Sequence, residues 1–226
     1  MLTQEDQIFT ETSPLLAGAP EAVRSGLLED AQVAAYANHE ALFEHGGAAD
    51  HVYLVLSGKV QLYRGPKPGK HAVLGVMQPG MAFAVGDVIA GERLSATAEA
   101  VGKTRVLMIP AIPFVAAVES DKTFALSLLK QLSRDLHQVT DQIECIQLKP
   151  TAQRLAEFLL RLTPKTNGPS EIILPFEKAL IAAYLGMEPE SLSRAFKDLR
   201  ALGVMNRGRK TEIRDGGKLR SFCDAA

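Results

Sequence analysis

Only two cysteines occur in 226 residues, Cys145 and Cys223, far apart and outside any C-x-x-C pair. That excludes a disulfide framework and a thiolate metal cluster. No apolar run approaches the roughly 20 residues that span a bilayer, and the N-terminus MLTQEDQIF has no cationic stretch leading into an apolar one. A soluble, unexported, cytoplasmic chain without a membrane partner is expected. Catalytic signatures are missing too: there is no G-x-S-x-G, no phosphate-cradling Gly-rich loop and no recognisable Cys/His pair. His39, His45 and His51 recur at intervals of six rather than as the H-x-H of cupin metal sites. A cupin-like metalloenzyme is therefore the weaker alternative, and neither enzyme activity nor a metal site is expected.

The net charge of −1 says little until the chain is divided. Residues 1–147 carry 11 Lys plus Arg against 17 Asp plus Glu, and residues 148–226 carry 14 against 9. An acidic first part and a cationic second part point to phosphate binding confined to the C-terminal module. The length allows two compact cores.

The segment Lys178 to Arg200, KALIAAYLGMEPESLSRAFKDLR, concentrates the signal. Ala179, Leu180, Ala183 and Tyr184 are expected to form the apolar side of a short helix. Gly186 lets the chain reverse, and Pro189 suits the first position of a new helix, where its missing N–H would be unpaired anyway. Leu192, Phe196, Leu199 and Leu202 then face the core, while Glu190, Ser193, Arg194 and Lys197 share the opposite stripe. This is a helix-turn-helix whose second helix can enter a major groove. Arg194 can donate twice to guanine, Glu190 can accept from cytosine, and Ser193 can reach a base edge or phosphate. The run Val204 to Ile213 reads as a hairpin with Arg207, Arg209 and Lys210 at its tip, the wing of a winged helix touching phosphate together with Lys197.

From about Gln32 to Pro110 the texture changes to short β-prone runs: Val52–Leu56, Val60–Tyr63, Ala72–Val76, Ser95–Ala100 and Arg105–Ile109. Turn signals at Ser57-Gly58, Gly65 to Gly69, Pro79-Gly80 and Gly102 separate them, which suggests a small antiparallel barrel or jelly roll able to enclose a ligand. Leu129, Leu132, Leu136, Val139, Ile143 and Ile146 are spaced 3, 4, 3, 4 and 3, a seam that predicts a dimerisation helix from Thr123 to Leu148. Leu126, Leu128 and Cys145 widen that stripe, and Cys145 is expected to be a small buried apolar residue. Thr151 to Thr163 forms a further helix with Leu155, Phe158, Leu159 and Leu162 inward, beginning after a hinge at Pro150. Glu171 to Leu174 is a strand that can pair with the wing. The expected class is α+β, with an effector domain at 1–120, the dimerisation helix at 121–148 and the winged helix-turn-helix at 149–226.

In that order of parts the chain resembles the Crp/Fnr family of bacterial transcription regulators over nearly its whole length. The resemblance lies in Val52-Tyr53-Leu54-Val55-Leu56-Ser57-Gly58-Lys59-Val60, in the cassette from Gly80 to Ala100, and in Leu185-Gly186 followed by Glu190-Ser191-Leu192-Ser193-Arg194. The last matches the Glu-x-x-Ser-Arg pattern of the Fnr branch. It implies a homodimer on a palindrome with TTGAT-like half-sites about one helical turn, roughly 34 Å, apart, with RNA polymerase as a further partner. It also implies a small effector in the barrel that biases the helix and hinge between two states.

The cassette departs from the family's nucleotide binders, which show Gly-Glu for the ribose and Arg-Ser or Arg-Thr for the cyclic phosphate. This chain reads Phe83-Ala84-Val85-Gly86-Asp87 and Arg93-Leu94-Ser95-Ala96-Thr97. Asp87 is a methylene short, Leu94 separates the arginine from the serine, and Arg93 points outward if the strand is shifted by one residue. A cyclic AMP-dependent regulator is thus the alternative reading. The Fnr proteins carry N-terminal cysteines, which this chain lacks, so no iron–sulfur cluster is expected. The remaining similarity is to the Dnr/Nnr branch, which implies nitric oxide sensing through haem. The axial candidates would be His39, His45, His51, His71 and His137, with Met77 and Met81 behind them; no spacing singles one out.

Overall fold

The computed structural model describes residues 4–65, 72–163 and 168–224. The expected turn at 66–69, His71 and residues 164–167 lie outside the described residues. Two compact units divide the chain, Met1–Leu136 and His137–Ala226.

The first unit opens with helices α1 (Gln4–Thr12) and α2 (Glu21–Glu29), followed by strands β1 (Gln32–Tyr36), β2 (Ala41–Phe43), β3 (His51–Ser57), β4 (Val60–Arg64), β5 (Ala72–Met77) and β6 (Ala82–Phe83). Helix α3 (Val85–Ala90), strands β7 (Thr97–Ala100) and β8 (Thr104–Pro110), and helices α4 (Ala111–Ser120) and α5 (Lys122–Leu148) complete the order. The strands form two four-stranded antiparallel sheets, β1-β8-β3-β6 and β2-β7-β4-β5, so the expected barrel is a two-sheet jelly roll. Its central strand explains an unusual sequence. Val52, Leu54 and Leu56 enter a core with Leu16, Leu27, Phe114 and Phe124, whereas Tyr53 and Val55 enter a second core with Val60, Phe83, Ala98 and Val106. Both faces are covered, so β3 is apolar throughout instead of alternating.

Gly58 makes the turn out of β3 at φ +77°. A Cβ there would meet the Lys103 carbonyl at 2.4 Å and the Thr104 Cα at 2.7 Å. The Ser-Gly signal therefore marks a site where one backbone passes against another.

The strand expected from Ser95 begins only at Thr97. Asp87 Oδ2 accepts from both the backbone N and Oγ of Ser95, and the Ser95 carbonyl accepts from Arg64, so side chains occupy the groups a ladder would use. Helices α1 to α4 had no sequence expectation. They are short, and three of the four run into neighbours without a side-chain cap to announce them.

The second unit contains the end of α5, then α6 (Thr151–Leu162), β9 (Ser170–Ile173), α7 (Lys178–Tyr184), α8 (Pro189–Asp198), a 3-10 turn (Leu199–Leu202), β10 (Val204–Arg207), β11 (Lys210–Ile213) and α9 (Gly216–Asp224). Strand β9 pairs antiparallel with β11, whose other neighbour is β10. Leu155, Phe158 and Leu159 of α6 are buried as expected, but Leu162 is only half-buried because α6 ends there. Helix α9 packs on α6 and was not foreseen.

Along α5 the first turns and the later ones differ. Phe124 and Leu128 are buried in the first core, so Leu128 does not widen an outward stripe. The 3-4 row stays open: Leu129, Leu136 and Val139 are 61%, 66% and 53% exposed.

Candidate nucleic-acid interface and effector cassette

The two helices of the helix-turn-helix are set by burial. In α7 the buried residues are Ile181 and Ala182, followed by Leu185, rather than the expected row of Ala179, Leu180, Ala183 and Tyr184. The neighbours that cover this seven-residue helix meet its Ile181–Ala182 side and leave Leu180 and Ala183 half-buried and Ala179 exposed. Tyr184 stays half-buried, its ring 6.0 Å from Phe158 and 6.4 Å from Phe176. Gly186 takes the left-handed φ of +61° that the reversal requires, and Pro189 occupies the first turn of α8.

Helix α8 buries Leu192, Ala195 and Phe196, with Leu199 following. Leu202, expected inward as well, is half-buried because the helix tightens into a 3-10 turn at Leu199 and its period changes. Glu190, Ser193, Arg194 and Lys197 are all exposed on the other face. The Ser193 hydroxyl donates to the Pro189 carbonyl at 3.0 Å, and Arg194 Nη2 donates to Ser191 Oγ at 3.3 Å. Both bonds are local and exposed, so both groups can exchange them for a base edge.

The hairpin turns at Gly208, φ +63°, and Arg207 stands opposite Lys210 in register. Two of its cations, Arg209 and Lys210, have partners inside the unit. Arg209 donates to the Leu174 carbonyl through Nε at 3.3 Å and Nη2 at 3.1 Å. Lys210 Nζ lies 2.7 Å from Glu171, a bond that raises its pKa. Arg209 and Lys210 thus tie the hairpin to β9 and its exit, roles that spacing could not disclose.

The cassette residues are split among three places. Phe83 stacks on Tyr53 at 5.2 Å, with Phe43 5.0 Å from Tyr53, inside the sheet–sheet core. Burial pushes the Tyr53 hydroxyl up to about 12. Val85 belongs to the other core, and the exposed Gly86 has open space where a Cβ would sit. Ala84, between Phe83 and Val85, holds a left-handed φ of +62°, strained for a residue with a Cβ. Asp87 and Ser95 meet at 3.1 Å, joined by Arg64 from β4, which the sequence reading missed. Arg93 is exposed and donates to the Gly46 carbonyl at 2.8 Å. Leu94 is buried, and Thr97 Oγ1 accepts from the His45 N–H at 3.0 Å.

Of the axial candidates on described residues, His51 is half-buried on β3. His39, His45 and His137 are exposed, Met77 and Met81 lie on different strands or turns, and no group of three His, Cys, Asp or Glu residues converges among the described residues. His39, at φ +65°, instead places Nδ1 2.9 Å from the buried Glu99 carboxylate.

Near Pro150 a cluster forms that no motif announced. Glu157 of α6 accepts from Cys145 Sγ at 3.4 Å and from Lys149 Nζ, and Cys223 of α9 lines the same cavity of about 950 Å³. Cys145 is therefore a half-buried hydrogen-bond donor, not a purely apolar filler. Burial first, then Glu157, raises both thiols, Cys223 to about 11.

Two family models match the chain: a cyclic nucleotide-binding domain over residues 33–121 and a Crp-like helix-turn-helix domain over residues 153–222. The cyclic AMP receptor protein of Thermus thermophilus is 30% identical over 213 residues, 93% of this chain and 97% of that one. A solved structure from Ruegeria pomeroyi, described as a candidate cyclic nucleotide binding protein, is 34% identical and covers 100% of both chains with a TM-score of 0.68. That of DNR from Pseudomonas aeruginosa is 27% identical and covers 98% of this chain and 100% of its own, with a TM-score of 0.54. The chain belongs to the Crp/Fnr family and is a DNA-binding transcription regulator of that type.

Proposed function

We propose that the protein binds, as a homodimer, a near-palindromic operator with TTGAT-like half-sites, and that its jelly roll answers to a small effector other than a cyclic nucleotide. The observation that carries the operator reading is the exposed stripe of Glu190, Ser193 and Arg194 on α8, set above a fully buried opposite face. Arg194 reads guanine, Glu190 cytosine, and Ser193 a base edge or phosphate. Lys197, Arg207, Arg209 and Lys210 neutralise phosphates, the last two by exchanging contacts within the unit.

Pairing through α5 is supported by the exposed row Leu129, Leu132, Leu136, Val139, Ile143 and Ile146. An apolar stripe of that length in water is covered by a second copy. Two reading heads then face two half-sites one helical turn apart. Contact with RNA polymerase follows from the same reading.

Against cyclic nucleotide sensing stand buried Leu94 at the position before Ser95 and the engagement of Arg93 with the Gly46 carbonyl. A second reading, cyclic AMP dependence, is favoured by the Thermus relative's name; it requires Asp87 and Arg64 to release Ser95.

Fluorescence anisotropy with a TTGAT-N4-ATCAA duplex and a scrambled one, each with and without cyclic AMP, tests these statements. Selective binding unchanged by the nucleotide is expected. Selectivity that needs cyclic AMP establishes the second reading. Sedimentation equilibrium tests the pairing: Val139→Glu, which buries a charge in the seam, should shift the dimer to monomer.

A further inference from the structure

The turn that joins α7 to α8 is gripped by two side chains from outside both helices. Arg154 of α6 directs Nη1 to the Leu185 carbonyl at 2.6 Å and to the Gly186 carbonyl at 3.1 Å. These are carbonyls at the end of α7, which no later residue of that helix can serve. On the same turn, a Cβ placed on Gly186 would lie 3.3 and 3.4 Å from Cδ1 and Cγ2 of Ile146, and 3.5 Å from Nη1 of Arg154. Ile146 is the last member of the apolar row on α5. It is 38% exposed, against 51% for Ile143 one step earlier, because the turn covers part of it.

We propose that Arg154 and Ile146 are positioning residues for DNA reading: by holding the Leu185–Gly186 turn they set the direction in which α8 leaves it, and they pass displacements of the α5 end to the reading head. This rests on α8 as the base-reading element and α5 as the pairing helix. The physical reason is tightness. Gly186 has no side chain to absorb a movement of Ile146, and a planar guanidinium holds two successive carbonyls in one orientation, which a flexible ammonium does not. A small shift of the last α5 turn must therefore move the turn, and α8 begins at Pro189, three residues on.

The test uses the full-length protein and the duplex it prefers from a randomised pool, so that failure of the TTGAT assignment and failure of this proposal remain distinct. Two quantities are measured for Arg154→Leu and Ile146→Val: the ratio of affinities for preferred and scrambled duplex, and backbone hydrogen exchange at residues 185–190. Arg154→Leu is expected to lower the ratio at least tenfold and to speed exchange across the turn, with the dimerisation constant unchanged. Ile146→Val, which also touches the pairing row, is measured at protein concentrations well above its own dimerisation constant, and should lower the ratio and speed the exchange to a smaller degree. If Arg154→Leu does not fold, Arg154→Gln, polar but too short to span both carbonyls, decides the matter. An unchanged ratio overturns the proposal whether or not exchange quickens, and so does a lowered ratio with unchanged exchange.

Discussion

Arg105 of β8 donates through Nη1 and Nη2 to the two carboxylate oxygens of Asp6, at 2.9 and 2.8 Å, and so pins the N-terminal helix α1 to the jelly roll. The fork is bidentate, and Asp6 is almost fully buried while a third of the Arg105 side chain reaches solvent. Asp6→Ala leaves the guanidinium without its partner. The expected loss is about 2–3 kcal/mol, at the low end for breaking a buried pair because Arg105 is still partly hydrated. Denaturant unfolding measures it, following the transition of the first unit; an unmoved midpoint contradicts the role given to the pair.

Gly58→Ala tests the close crossing of the β3–β4 turn over Lys103 and Thr104. A left-handed backbone and contacts as short as 2.4 Å act together there. The variant should lose roughly 2–4 kcal/mol, combining backbone strain with overpacking. Gly102→Ala is its control: φ is +80° but nothing lies within 4 Å of the added Cβ, so only the strain of roughly 1–3 kcal/mol should remain. Equal losses would mean that the crossing contributes nothing.

Arg194→Ala should weaken operator binding by about 1–3 kcal/mol and relax the preference at one guanine, leaving the scrambled duplex nearly unaffected. Arg207→Ala should weaken both duplexes alike and lower the salt slope by about one. Titrations at several salt concentrations separate the two behaviours. Retained discrimination in the Arg194 variant would remove that residue from the base-reading role.

The thiol of Cys223 should alkylate slowly near neutrality and much faster toward pH 11, since burial and Glu157 raise its pKa to about 11. Its folded pKa lies above the unfolded value of about 8.5. The stability it contributes is therefore fully present below the unfolded value and lost as pH rises through the folded one. Rates of iodoacetamide modification from pH 7 to 11, with Cys145→Ser to isolate the site, give the curve. A midpoint near the ordinary thiol value would rule out the shielding.

Much of this architecture was legible in one dimension because its signals are local. The Gly186 reversal, the Pro189 start and the polar stripe of α8 depend on residues within a few positions of one another, as do the hairpin turn at Gly208 and the 3-4 row of α5. Turn chemistry and helical period act over such distances. The register of α7 was misjudged because seven residues hold scarcely two turns, and the covering neighbours, not the period, chose Ile181 and Leu185.

Pairings between residues distant in sequence were decided by packing. Arg64 reaches Ser95, Asp6 meets Arg105, His39 meets Glu99, and Cys145 shares Glu157 and one cavity with Cys223 from the far end of the chain. Arg209 and Lys210 look like free wing-tip cations in the sequence, yet they bind the Leu174 carbonyl and Glu171. A side chain's nearest charge depends on which strands and helices the cores bring together, and no periodicity encodes that. The grip of Arg154 and Ile146 on Gly186 is of the same kind: the glycine announces a turn, whereas what presses against it follows only from the packing of α5 and α6 on that turn.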